Sequence, residues 1–257
     1  MLPALLKGKL REQQENLEDL LTSTVFGLLK YVPSQLGIFK FFSYAVPFRA
    51  FPSTKRLPLF QSEVQYEFWP WLQRDDCYGT EPDALIRATD SVGIKHIILI
   101  EAKFRSGKSS IAESANRIPT DQLAKEWDNL VRLCESEGSI PHLIYLTSDY
   151  GIPVDDLEDS AREFRSKRSE VLSRYPFECY WLSWRHLAIA FKDDDDPVLR
   201  DLFELARRYG FAFYDGITPI VTKHIQWKFS FPLELASENH FSFDSIQYPF
   251  ASWRFQK

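Results

Sequence analysis

The stretch from Glu81 to Lys103, EPDALIRATDSVGIKHIILIEAK, holds two acids and a lysine that a folded hairpin would gather. Asp83 opens the first apolar run, and Glu101 and Lys103 close the second. Side chains alternate across a strand, so Glu101 and Lys103 project to one side, roughly 7 Å apart along the backbone. Pro82 lacks the N–H that a ladder needs, so the first strand starts at or just after Asp83. A turn at Asp90-Ser91-Val92-Gly93 and a returning strand bring Asp83 beside Glu101. Two carboxylates at close range repel unless a cation lies between them. Oxygen ligands beside a phosphate favour Mg²⁺, which takes one or two carboxylates plus waters. Such an ion acidifies bound water and neutralises charge at phosphorus, while Lys103 orients that water or counters the growing charge. The expected chemistry is metal-assisted phosphodiester cleavage, with Mn²⁺ able to replace Mg²⁺.

The elements on either side of this hairpin have to hold the three groups together. Ile97-Ile98-Leu99-Ile100 is apolar on both faces, as a central strand should be. By itself, an E-x-K strand end equally describes a strand emerging into solvent. Asp83 at the mouth of the partner strand is what favours a site. Gln61 to Phe68 alternates as a further strand, with Val64, Tyr66 and Phe68 on one face. Residues Leu5 to Tyr31 carry leucines at helical spacing, and Pro33 ends that helix. Thr120 to Ser136 reads as a second helix, with Leu123, Trp127, Leu130 and Leu133 along one stripe and Thr120 or Asp121 as its N-cap. Pro141 to Thr147 reads as a buried strand, Asp155 to Ser173 as a basic helix, and Phe177 to Leu182 as another strand. A helical turn or two follows from Trp184 to Phe191. Asp193 to Asp196 precede Pro197 and cap a last helix ending near Gly210, so that acidic run is assigned no metal. This order predicts an α/β fold, a central mixed β-sheet flanked by helices. Residues 1–210 form its domain, and 211–257 an aromatic-rich β or extended C-terminal extension, packed on that domain or forming an interaction surface.

The Glu-Pro-Asp83 step, followed one hairpin later by Ile100-Glu101-Ala102-Lys103, resembles the signature of the PD-(D/E)XK nuclease superfamily, the restriction-endonuclease-like fold. The resemblance covers roughly residues 10 to 190 and rests on the order of elements as much as on the short motif. It implies Mg²⁺-dependent cleavage of DNA, with RNA not excluded, and a metal held by Asp83, Glu101 and a first-helix glutamate. Glu18 is the best match for that glutamate and Glu15 the second. A Gln on the helix after the E-x-K strand belongs to the same pattern, and Gln122 takes that place. The Ala102 carbonyl is expected to face the metal. Asp83, Glu101, Lys103, Glu18 and Gln122 are thus the expected site. The resemblance also implies an endonuclease effector of a prokaryotic restriction or antiphage defence system. A double-strand cutter needs two such sites, hence a homodimer or a multi-protein defence complex.

Ordinary explanations compete for several of these residues. Glu15, Glu18 and Thr22 share a helix face, where Arg11 can pair with Glu15. A first-turn glutamine such as Gln122 is often simply solvated. The net charge of −5 does not advertise nucleic-acid binding. The densest basic segment is Ala161 to Arg174, with Arg162, Arg165, Lys167, Arg168 and Arg174. It is a candidate DNA-facing surface, though a solvated helix face is the commoner fate of such a run. Lys55, Arg105, Lys108 and Arg117 are candidate phosphate contacts on equal terms with ordinary loop charge.

Other chemistries find no support. The five histidines show no HExxH spacing, and neither GxxxxGK[ST] nor GxGxxG occurs. Cys77, Cys134 and Cys179 are odd in number and widely spaced, which predicts neither disulfides nor a zinc site and points to a reducing cytoplasm. The most apolar window, Gly37 to Phe48, is too short to span a bilayer, so no membrane partner is expected. One alternative stays open: a catalytically inactive nuclease-like subunit acting as a nucleic-acid-binding or assembly module.

Overall fold

The computed structural model describes residues 18–48, 57–58, 60, 64–73, 79–104, 119–172 and 174–212. The chain divides into two units, Met1–Phe213 and Tyr214–Lys257, and all described residues lie in the first. The expected C-terminal extension, the first turns of the N-terminal helix, Glu15, and the loop cations Lys55, Arg105, Lys108 and Arg117 fall outside the described residues.

Helix α1 (Glu18–Leu29) and the short α2 (Ile38–Phe42) lead into β1 (Val46–Pro47), β2 (Gln65–Phe68), β3 (Ala84–Thr89) and β4 (Lys95–Ala102). Helix α3 (Gln122–Glu137), β5 (Ile140–Thr147), α4 (Val154–Lys167), α5 (Ser169–Leu172), β6 (Cys179–Ser183), α6 (His186–Phe191) and α7 (Pro197–Arg208) follow. One six-stranded sheet results, in the order β1-β6-β5-β4-β3-β2. Strands β2, β3 and β4 are antiparallel neighbours, while β4, β5 and β6 run parallel through the α3 and α4 crossovers. The fold is α/β, a mixed sheet flanked by helices, as the order of elements predicted. Helix α2 and strand β1 were not expected, and the basic helix breaks at Arg168 into α4 and α5.

The alternation of β4 shows why it lies at the centre. Ile98, Ile100 and Ala102 enter a core with α1, α6 and α7, while Ile97 and Leu99 enter a second core with α3 and α4. A strand with apolar residues on both faces is stable only when helices cover both sides. Glu101 continues the face of Ile97 and Leu99, so its carboxylate is aimed beneath α3. At the far end, Asp90 closes the β3–β4 hairpin by accepting from the amides of Val92 and Ile94, with Gly93 at φ +86. That left-handed position favours glycine.

Candidate active site

The hairpin register decides what meets Glu101. Ala84 pairs with Ile100, and one residue before it the Asp83 Oδ2 accepts from the Ala102 amide at 2.7 Å. Lys103 leaves the strand end and reaches back, its Nζ 2.5 Å from Glu101 Oε1 and 3.4 Å from Glu18 Oε1. Glu18 opens α1, and its other oxygen accepts from the Phe104 amide at 2.6 Å. Gln122 begins α3 and donates from Nε2 to Glu101 Oε1 at 2.5 Å. All five residues named from the sequence therefore meet at the edge formed by the ends of β3 and β4.

A sixth residue belongs to the group and was missed. Glu126 lies one helical turn after Gln122, 1% exposed, and its Oε1 accepts from Gln122 Nε2 at 3.3 Å. Its Oε2 is buried without a hydrogen-bond partner. The signal was a second stripe along α3: Gln122, Glu126 and Asn129 recur at i, i+4 and i+7 beside the apolar Leu123, Trp127 and Leu130. Polar residues repeating at helical spacing next to a core stripe mark a face turned to other polar groups.

The electrostatics follow from four carboxyl groups sharing one ammonium among the described residues. Burial, and then the charge of Glu101, push Asp83 up from 3.8 to about 7, although the Ala102 amide opposes them. Burial raises Glu101 too, against the pull of Lys103. Glu126 is raised well above the usual carboxylate range, by complete burial and then by Glu101, which favours its neutral form. Burial alone would lower Lys103, but Glu101 and Glu18 outweigh it and keep the ammonium charged.

Support comes from the helices behind. Asp121 caps α3 through the Ala124 amide, and Glu163 of α4 accepts from the Asp121 amide at 3.1 Å and the Thr120 hydroxyl at 2.8 Å. These bonds fix the first turn of α3, and with it Gln122. The basic segment is largely solvated, with Arg162 and Arg174 exposed, and Arg168 is the member that departs from that reading. Arg168 is buried and pairs with buried Asp128 at 2.7 Å, so it is a structural cation and not a DNA-facing one. Arg162 pairs with Asp159 and Arg174 with Glu135.

The carboxylates suit a hard divalent cation, because they offer only oxygen, and burial first, then repulsion among the carboxylates, holds Asp83 and Glu101 above their ordinary range. Among the described residues, no three His, Cys, Asp or Glu side chains stand together as a ready metal cluster; Lys103 bridges Glu101 and Glu18 instead. A site built on one or two carboxylates and waters fits Asp83 and Glu101. It does not require Glu18.

No family model matches this chain, and no curated protein matches it. A solved structure, that of Pyrococcus furiosus SfsA in complex with Ca²⁺, aligns with 47% of this chain and 48% of its own, at 13% identity and a TM-score of 0.23. The chain spans about half the length of that protein, and a likeness at this TM-score carries no argument. No described helix is long and apolar enough to cross a membrane.

Proposed function

We propose that this chain is a nuclease that hydrolyses phosphodiester bonds of DNA with a divalent cation, Mg²⁺ or Mn²⁺, held by Asp83 and Glu101. The observation that supports this is the meeting of Asp83, Glu101 and Lys103 at one strand edge, with Ala102 and Gln122 fixing the two carboxylates. When bound, the cation acidifies a water and neutralises charge on the phosphate. Lys103 counters the charge developing on the phosphate oxygens or orients the attacking water. Gln122 holds Glu101 in one orientation from behind and is itself held by Glu126. Glu18 positions Lys103 and the chain at Phe104. The cellular setting, a restriction or antiphage effector working as a homodimer or within a complex, belongs to the same proposal.

A supercoiled plasmid incubated with Mg²⁺ tests it. Nicking or linearisation by the wild type, lost in Asp83→Ala and Lys103→Ala, is the expected result. Equal activity in all three proteins overturns the assignment. One observation favours the second reading, an inactive nuclease-like module: the ammonium of Lys103 already bridges Glu101 and Glu18. Calorimetry separates the two, since an inactive module takes up neither Mg²⁺ nor Mn²⁺.

A further inference from the structure

We propose that Trp69 and Trp71 form a stacking platform that captures unpaired bases of a single-stranded nucleic acid beside the acidic site. This deepens the nuclease reading and rests on it for the place of cleavage. Five tryptophans lie among the described residues. Trp127, Trp181 and Trp184 are buried in the cores, whereas Trp69 is 39% and Trp71 63% exposed. Both exposed indoles belong to the three-residue run Trp69-Pro70-Trp71, which leaves β2 directly opposite Asp83. The Trp69 amide donates to the Asp83 carbonyl at 3.2 Å, so the platform and the acid share one rung of the sheet.

The run is held rigidly although its rings face water. Trp69 has φ +48, the sole non-glycine in left-handed backbone among the described residues. Such a conformation is costly for a bulky side chain and persists where surrounding contacts enforce it. Here they do. Leu72 and Thr80 exchange backbone hydrogen bonds at 2.8 and 2.7 Å, and Asn129 of α3 donates to the Thr80 hydroxyl at 3.1 Å. The Trp71 ring lies so close to Gly79 that a Cβ there would come within 2.2 Å of it. Helix α3 thus carries Gln122 and Glu126 at the acidic site and anchors the tryptophan run one turn further on.

The chemistry selects the occupant. An indole stacks on the face of any base, but in a duplex those faces are covered by neighbouring bases. Capture by charge is poorly served by a chain of net charge −5 whose Lys103 is engaged by Glu101 and Glu18. Stacking supplies affinity that this surface charge does not.

The test is fluorescence anisotropy with a labelled single-stranded oligonucleotide and the matching duplex, in EDTA so that no cleavage occurs. The wild type should bind the single strand more tightly. Trp71→Ala should weaken that binding roughly tenfold to a hundredfold and leave the duplex unaffected. Full single-strand affinity in a folded Trp71→Ala protein, or an equal loss for both ligands, overturns the platform. If Trp71→Ala does not fold, quenching of wild-type indole fluorescence by the single strand and not by the duplex reads the same contact. Absence of that quenching rejects it. A Trp71→Ala protein that loses self-association while keeping single-strand binding also rejects it, in favour of a protein interface. Single-strand binding through Trp71 without cleavage at any metal concentration keeps the platform and removes the nuclease reading. Unaltered cleavage and KM for a single strand in Trp71→Ala does the reverse.

Discussion

Replacing Asp83 with Asn should stabilise the protein above neutral pH while abolishing the proposed cleavage. Asp83 is 7% exposed, and burial, followed by the charge of Glu101, moves its carboxyl from 3.8 to about 7. The unfolded chain gives up this proton near 3.8, whereas the folded chain keeps it until about 7. Between those values folding takes up a proton, so the stability present below 3.8 is lost as pH rises towards 7. At about 1.4 kcal/mol per tenfold, the interval amounts to about 4 kcal/mol, and water admitted by local relaxation reduces it to about 2–4 kcal/mol. Asparagine has no proton to lose and keeps an oxygen for the Ala102 amide. Above pH 7 the variant should therefore be more stable by that amount, a rise of about 4–16 °C in Tm for a domain of this size. At pH 5 the gain should shrink to about two fifths. Thermal unfolding followed by circular dichroism in EDTA, at pH 5 and pH 8, reads both values. Equal stability of the two proteins at pH 8, or a gain of the same size at pH 5, would refute the reasoning. Loss of plasmid cleavage in this better-folded protein then reports chemistry and not damage.

Three further substitutions probe the same framework. Lys103→Met removes the ammonium from Glu101, whose side chain is 3% exposed. Urea unfolding at pH 8 should show a loss of about 3 kcal/mol, diminishing at lower pH as Glu101 takes up a proton. Glu126→Gln replaces a carboxyl whose complete burial favours the neutral form, so calorimetry should find stability within about 1 kcal/mol of the wild type; a loss of several kcal/mol would mean that Glu126 is charged. Arg168→Met removes the guanidinium from buried Asp128 and should cost about 3–5 kcal/mol in urea unfolding, most of it recovered in the Arg168→Met, Asp128→Leu double variant.

Much of the site was legible because it is local. Asp83, Glu101 and Lys103 lie on one hairpin, where the period of a strand and the length of a turn determine which residues are opposite one another. The paired strands show Asp83 at the Ala102 amide, one rung beyond the Ala84–Ile100 pair. Glu126 was overlooked because charged residues are seldom fully buried. Its place depends on α3 lying over the Glu101 face of the sheet. Arg168 was grouped with surface cations for a related reason: a basic run reads as a solvated face until packing turns one member inward against Asp128. The short β1 and α2 escaped because a two-residue strand and a five-residue helix carry too little periodicity to recognise.

The sequence by itself determined the alternation that makes β4 central, the caps that start α3 and α7, and the hairpin that sets Asp83 beside Glu101. These depend on contacts between near neighbours in the chain, whose geometry the backbone largely dictates. Only the tertiary structure decided that Glu18 reaches Lys103 from 85 residues away, and that Gln122 and Glu126 lie behind Glu101. Only packing put Trp69 on the rung of Asp83, with Trp71 two residues on. Contacts between distant segments are set by which helix covers which face of the sheet. That is a property of the assembled cores, and no local pattern encodes it.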